Sequence, residues 1–163
     1  MKTTLSKKPT IILVDDHLIF RQGLKSLITF ENIGTVVGEA SDGKEFLKLL
    51  SIPTPDLVIM DIDMPNMNGM EATQKALEMF PNLKIIVFSM FGDKEYYIKM
   101  IDLGVKGFIL KSSGITELEQ AIYDVMVGKS YYSNELPRKT INKLGQKNGI
   151  VTHEEHTPPI PWW

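Results

Sequence analysis

The chain reads Ile11-Ile12-Leu13-Val14-Asp15-Asp16 near its start, a short apolar run that ends on two acidic residues. Continuous apolar runs of this length indicate strands that are buried on both faces, as in parallel sheets. Three further runs share the pattern and also end on a polar side chain: residues 57–60 before Asp61, residues 85–88 before Ser89, and residues 107–110 before Lys111.

A fifth run, Thr35-Val36-Val37, is followed by the neutral Gly38. Between the runs, apolar residues recur at helical spacing, which predicts five amphipathic helices. The last helix is expected to begin at a capping box, in which Thr116 and Glu119 satisfy free backbone amides reciprocally. Five alternations of strand and helix predict an α/β fold, a three-layer, doubly wound sandwich around a five-stranded parallel sheet.

Ligands of such folds bind at the carboxyl ends of the strands, where these polar residues are expected to meet. Two unit charges 4 Å apart repel by about 4 kcal/mol at an effective dielectric near 20. A cluster of Asp15, Asp16 and Asp61 must therefore take up a proton or bind a cation, and Mg²⁺ fits such oxygen ligands best. Asp61 could then attack phosphorus, while Lys111 and Ser89 contact phosphoryl oxygens.

Composition sets bounds on the chain. It has 163 residues and a net charge of −2, which argues against non-specific attraction to nucleic acid or membranes. It has no cysteine, which fits a reducing compartment, and we expect a cytoplasmic protein. No apolar run is long enough to span a membrane. We predict an arm at residues 1–9, one domain at residues 10–128, and a linker and tail at residues 129–163.

The motifs resemble the receiver domain of two-component response regulators from about Thr10 to Gly128. The residues that carry the resemblance are Leu13–His17, Met60–Pro65 through Gly69, Phe88–Met90 and Gly107–Lys111. The flavodoxin-like strand order 2-1-3-4-5 is borrowed from this resemblance. Residues 89–91, 117–122 and 131–133 are most similar to the NarL/FixJ-type (LuxR-tailed) subfamily.

The resemblance also implies roles for residues of the site. Asp61 would accept phosphate from the phosphohistidine of a sensor kinase or a phosphotransfer protein. Asp16 and Asp61 would ligate Mg²⁺ directly, the backbone carbonyl of Asp63 would be a third ligand, and Asp15 would act through water. Ser89 and Lys111 would hold the phosphoryl oxygens. Phe108 occupies the aromatic switch position of the family.

Three positions depart from the family pattern. Phe108 is often tyrosine in relatives, so a switch here would lack the hydroxyl. Ser112 follows Lys111 where many receivers have proline; without proline a cis bond costs about 3 kcal/mol, and the isomer stays open. Phe91 stands where the subfamily often has histidine, which would alter water access and the lifetime of the acyl phosphate.

The resemblance implies output through phosphorylation-dependent homodimerisation and, through a helix-turn-helix effector domain, control of transcription by DNA binding. We expect that effector to be absent or truncated here, because residues 157–163 show no helical pattern. The tail is interpreted as foreign to the protein, with a natural peptide-docking tail as the alternative. His153 and His156 are interpreted as solvated side chains.

Two rival functions stay open at this point. A phosphohydrolase of the haloacid dehalogenase type also uses an Asp-x-Asp motif after an apolar strand, which Asp61-Ile62-Asp63 satisfies. However, further acidic residues of that class normally come later in the chain, whereas Asp15-Asp16 come earlier. An interaction module that is not phosphorylated would need none of the polar site residues. We therefore predict a signalling domain, with only self-phosphorylation and self-dephosphorylation chemistry, rather than an enzyme.

Overall fold

The computed structural model describes residues 5–90 and 94–133, apart from the side chain of Lys94. Strands and helices alternate along this part of the chain. The five expected strands are β1 (Thr10–Val14), β2 (Thr35–Ala40), β3 (Leu57–Met60), β4 (Ile85–Ser89) and β5 (Gly107–Leu110). The five helices are α1 (Leu18–Phe30), α2 (Gly43–Leu49), α3 (Gly69–Met79), α4 (Lys94–Leu103) and α5 (Ile115–Met126).

The five strands pair in parallel in the order β2-β1-β3-β4-β5, as expected. Helices cover both faces of the sheet. In β1, Ile11 and Leu13 belong to the apolar core that includes residues of α1 and α5, whereas Ile12 and Val14 belong to the core shared with α2, α3 and α4. Because both faces are buried, the strands have no polar alternation, and the three-layer prediction is confirmed.

A sixth strand, β6 (Tyr131–Tyr132), extends the sheet beyond the predicted edge by pairing in parallel with β5. The Tyr131 amide donates to the carbonyl of Lys106, and the Ser133 amide donates to the carbonyl of Phe108, both at 2.9 Å. The prediction of five strands was therefore one short. A strand of two residues is too short to show any periodicity, so the sequence pattern assigns these residues to the start of the linker.

The capping box predicted for α5 was wrong. The helix begins at Ile115 after Gly114, whose φ of 85° favours glycine, and no side chain within residues 5–90 and 94–133 caps it. Side-chain capping occurs at α2 instead. Asp42 accepts a hydrogen bond from the Glu45 amide at 2.9 Å, and the Glu45 carboxylate accepts from the backbone and hydroxyl of Ser41.

Some of the sequence predictions concern residues that the structure does not describe. Phe91 and residues 134–163, including both tail histidines, lie outside them. Among the described residues the one cis peptide bond joins Ile52 and Pro53, so the Lys111–Ser112 bond is trans. Within the same ranges, no helix combines the length and the apolar character needed to cross a membrane.

Candidate functional site

The acidic residues of two neighbouring strands meet at the carboxyl edge of the sheet. Asp15 and Asp16 follow β1, and Asp61 follows β3, which is hydrogen-bonded to β1. The Asp61 amide donates to the carbonyl of Val14 at 2.9 Å, which continues the pairing of the two strands to the acidic residues. One side-chain ligand atom from each of Asp15, Asp16, Asp61 and His17 lies within 4.8 Å of the others.

Lys111 reaches this cluster from the end of β5. Its Nζ lies 2.6 Å from Asp15 Oδ2 and 3.4 Å from Asp61 Oδ2. All three side chains are less than a tenth exposed, so these contacts are screened little by solvent. Nζ also lies 4.2 Å from the centroid of the Phe20 ring, a cation–π distance. The predicted convergence of Asp15, Asp61 and Lys111 is therefore present in the structure.

Asp61 is held in a setting that disfavours its charge. Burial raises the pKa of its carboxyl, the positive charge of Lys111 opposes this shift, and the negative charge of Asp15 adds to it. The Ile62 amide donates to Asp61 Oδ1 at 2.9 Å, which fixes the orientation of the carboxyl group. A carboxylate that is desolvated, oriented and close to a lysine is a candidate nucleophile.

The loop that carries Asp15 and Asp16 is held by a mostly buried arginine, Arg21, whose role the sequence pattern does not reveal. Arg21 Nη1 donates to the backbone carbonyl of Asp15, and Arg21 Nε donates to Glu39 Oε1 at 3.2 Å. Burial opposes ionisation of Glu39, but hydrogen bonds and charge from Lys25 and Arg21 together lower its pKa. In the sequence, the signal for this contact is a basic residue about one turn into the helix that follows the acidic loop.

The loop after Asp61 is clamped by the loop before α2. Asn66 Nδ2 donates to Asp42 Oδ2 at 2.8 Å, and the Gly43 amide donates to the carbonyl of Met67 at 2.9 Å. Asn66 has a φ of 64°, a left-handed conformation that asparagine tolerates better than most residues. Bonds from the Glu45 amide and the Asn66 side chain lower the pKa of Asp42, which favours its charged, accepting form.

Gly69 closes the same loop against the backbone of Asp61. Its amide donates to the carbonyl of Ile62 at 2.8 Å. A Cβ atom at this position would lie 2.1 Å from the backbone oxygen of Asp61. The motif quoted from the sequence ended on this glycine, but only the structure shows what it touches. The side chain of Asp63, in contrast, is exposed and lies outside the acidic cluster.

Ser89 and Phe108 lie on the strands beyond β3. Ser89 is the fully buried last residue of β4, and it is paired in register with Leu110, the residue before Lys111. Phe108 is fully buried and packs edge-on against Tyr97 of α4, with ring centroids 5.8 Å apart and planes at 70°. The switch position of the sequence analysis therefore connects β5 with α4 in this structure.

The donor set at this edge fits a divalent cation. It supplies three carboxylates, and Asp16 Oδ1 is buried without a hydrogen-bond partner among the residues that the structure describes. Lys111 compensates the charge of Asp15 and Asp61, the two carboxylates that it contacts. A buried carboxylate oxygen without a donor is costly, and a cation beside it would offset that cost.

The fold and this acidic site together define a receiver-like α/β domain. The response regulator receiver domain family matches residues 11–123 of the sequence. The chain therefore belongs to that family, whose members are signalling domains rather than conventional enzymes. The haloacid dehalogenase interpretation is wrong for this chain.

Curated relatives and a solved structure agree with this assignment. The chain is 32% identical to the transcriptional regulatory protein DegU of Brevibacillus brevis over 91% of its own length and 61% of that protein. It is 32% identical to the oxygen regulatory protein NreC of Staphylococcus carnosus over 91% of its own length and 69% of the relative. It thus spans about two thirds of the length of these relatives.

The structure also resembles a two-component response regulator of the LuxR family from an Aurantimonas species. The TM-score is 0.78 at 33% identity, with 84% of this chain and 98% of the other covered. The NarL/FixJ-type subfamily expected from the sequence is confirmed.

Proposed function

We propose that this chain is the phosphoacceptor of a two-component system and that Asp61 is the acceptor. In the reaction, the phosphorus–nitrogen bond of a kinase phosphohistidine breaks and an Asp61 carboxylate oxygen forms the new bond to phosphorus. The electron pair of the broken bond stays on the imidazole of the donor. The observation that supports this proposal is the contact of one lysine, Lys111, with carboxylates from two separate strands, Asp15 and Asp61.

Asp15, Asp16, Asp61 and the backbone carbonyl of Asp63 would hold Mg²⁺ in this proposal. When bound, the ion neutralises the acidic cluster and stabilises charge on the transferring oxygens. Lys111, which lies between two carboxylates, can turn one of its three donors to a phosphoryl oxygen. Ser89, at the end of the neighbouring strand, would donate to another. The clamp between Asn66 and Asp42 would keep the loop that carries the Asp63 carbonyl in place.

The acyl phosphate would act as a switch through Ser89 and Phe108. A shift of a two-state equilibrium from 1:99 to 99:1 needs about 5.5 kcal/mol. Two charge-assisted hydrogen bonds of roughly 1.5–3 kcal/mol each could supply most of that. Phe108 contacts Tyr97, so a change at β5 would repack α4. The output would be homodimerisation and, through a DNA-binding effector domain, control of transcription.

The test is mass spectrometry of the full chain after treatment with acetyl phosphate and Mg²⁺. We expect a gain of one phosphate, mapped to Asp61 and lost in Asp61→Asn. The matched control is Asp56→Asn, because Asp56 lies just before the same strand at its opposite end, hydrogen-bonded to Thr10. Phosphate that persists in Asp61→Asn would refute the assigned nucleophile. No labelling of the wild type would favour the interaction module that is not phosphorylated.

Lys111→Ala tests whether phosphorylation of Asp61 and dimerisation can be separated. We expect this variant to be labelled but to stay monomeric, because the lysine that would read the phosphoryl group is missing. Light scattering after size-exclusion chromatography measures the mass with and without acetyl phosphate. Phosphorylation-dependent dimers in Lys111→Ala would show that Lys111 does not couple the site to the dimer.

A further inference from the structure

Lys111 is held at the acidic site by an aromatic ring as well as by carboxylates. Its Nζ atom lies 4.2 Å from the centroid of the Phe20 ring, in addition to its contacts with Asp15 and Asp61. Phe20 is the third residue of α1 and is partly buried. The face of an aromatic ring is negative and attracts an ammonium group, most strongly where water is excluded. The lysine side chain is less than a tenth exposed, so this contact belongs to the stronger class.

The same ring also packs against the strand that carries Ser89. The centroids of the Phe20 and Phe88 rings lie 5.7 Å apart, with the ring planes at 43°, which is within the range of favourable aromatic pairs. Phe88 is buried on β4 and directly precedes Ser89. Phe20 therefore contacts both Lys111 and the neighbour of Ser89, the two residues that would hold phosphoryl oxygens in the proposed function.

The ring of Phe20 differs from the carboxylates in two respects that matter for a lysine that has to change its partner. A hydrogen bond to a carboxylate oxygen fixes the direction of an N–H bond, whereas a ring face attracts the charge as a whole and leaves the N–H bonds free to turn. The contact with Asp61 Oδ2 must also adjust when that carboxylate is phosphorylated, whereas the ring does not react. The ring can therefore hold the ammonium group in place before and after the reaction.

We propose that Phe20 is a positioning residue, whose ring face holds Lys111 where its ammonium group can contact the phosphoryl group on Asp61. The proposal rests on the proposed function and adds a residue of α1 to it. Packing of Phe20 against the core requires only an apolar side chain of this size. The positioning role also requires the negative charge on the ring face, so an experiment can separate the two roles.

The test keeps the shape of the Phe20 side chain and changes the charge on its ring face. Mono-, di- and trifluorophenylalanine are incorporated at this position of the full chain, because each added fluorine draws electron density away from the face. The proteins are labelled with acetyl phosphate and Mg²⁺, and sedimentation measures the dissociation constant of the labelled dimer. We expect this constant to rise with each fluorine, by about fivefold over the series, while labelling of Asp61 stays complete.

The matched control is the same fluorine series at Phe46, which is fully buried in α2 and belongs to the core on the opposite face of the sheet. Fluorine changes the packing there in the same way, but the ring does not touch Lys111. We expect the dimer constant to stay the same over the Phe46 series. A constant that does not change over the Phe20 series, or that changes equally in both series, would overturn the proposal.

Nuclear magnetic resonance of isotope-labelled lysine detects the contact without phosphorylation. The ring face should shift the Cε protons of Lys111 upfield, and this shift should be lost in Phe20→Leu, which keeps an apolar side chain. The signal is assigned by its loss in Lys111→Arg. The same shift in the wild type and in Phe20→Leu would also overturn the proposal. If the wild type is not labelled at all, the phosphoacceptor proposal fails and the positioning role fails with it, whereas the shifted signal would still show the contact.

Discussion

Gly69→Ala isolates the close approach between α3 and the backbone of Asp61. The added Cβ would lie 2.1 Å from the Asp61 carbonyl oxygen and 2.9 Å from Ile62 Cα. These are backbone atoms at the end of a buried strand and cannot turn aside as a flexible side chain would. The substitution therefore has to move the first turn of α3 by about 1 Å or more, and it strains the hydrogen bond from Gly69 to Ile62.

We expect Gly69→Ala to destabilise the protein by about 2 kcal/mol. Overpacking costs about 1–3 kcal/mol, and a weakened hydrogen bond adds about 0.5–1.5 kcal/mol. The greater helix propensity of alanine returns about 0.5–1 kcal/mol. Urea denaturation measures the free energy of unfolding, and the midpoint of thermal unfolding should fall by about 4–8 °C. Labelling by acetyl phosphate should slow as well, since the loop after Asp61 is displaced.

The matched control is Gly23→Ala, at an exposed position within α1 where an added Cβ meets nothing within 4 Å. It should stabilise the protein by about 0.5–1 kcal/mol, because only the helix propensity changes. If Gly69→Ala is as stable as the wild type, or gains as much as Gly23→Ala, the claimed contact with the backbone of Asp61 does not exist in solution.

Two further predictions concern the acceptor and its loop. Because burial raises the pKa of Asp61, folding favours its protonated form, and this contribution to stability is lost as the pH rises from about 3.9 through the folded pKa. Without divalent ions, Asp61→Asn should therefore unfold at a higher temperature than the wild type at pH 7 and at the same temperature near pH 3; equal midpoints at both pH values would contradict this. Asn66→Gly loses the bond to Asp42 but adopts the left-handed backbone without strain, whereas Asn66→Ala loses the bond and is also strained in that conformation. Urea titration should therefore show that the alanine variant is about 1 kcal/mol less stable than the glycine variant.

The strands and the convergence of their polar ends followed from the sequence for a simple reason. A strand buried on both faces must be apolar at every residue, and the first polar residue after it marks the sheet edge. Asp15, Asp61 and Lys111 were found in this way, although they lie far apart in the chain. This reasoning does not identify the residues that hold the loops, because their partners depend on the conformation of the backbone between strands and helices.

The missed features share that cause. Tyr131 and Tyr132 join the sheet because β5 has an open edge beside the end of α5, and no local pattern of two residues reports an open edge. Thr116 and Glu119 have the composition of a capping box, but the short 3₁₀ turn at Lys111–Ser113 and the positive φ of Gly114 start α5 one residue earlier than Thr116. The start of α5 is therefore set by the backbone conformation of the residues that follow Lys111, not by the capping propensity of Thr116 and Glu119.

Unfavourable interactions between carboxylates are concentrated at one edge of the sheet. Hydrogen bonds and ion pairs around them fix the loops at that edge. Asp61 is desolvated and close to Asp15, an arrangement that opposes folding. Two of the bonds that fix the surrounding loops do not involve either oxygen of the Asp61 carboxylate, namely Arg21 to the Asp15 carbonyl and Asn66 to Asp42. These two bonds can therefore persist when the charge of the site changes, by ion binding or by phosphorylation of Asp61, whereas the bonds from Ile62 and Lys111 to the Asp61 carboxylate must adjust. A site that was held together by its own carboxylates would lose its shape whenever it reacted.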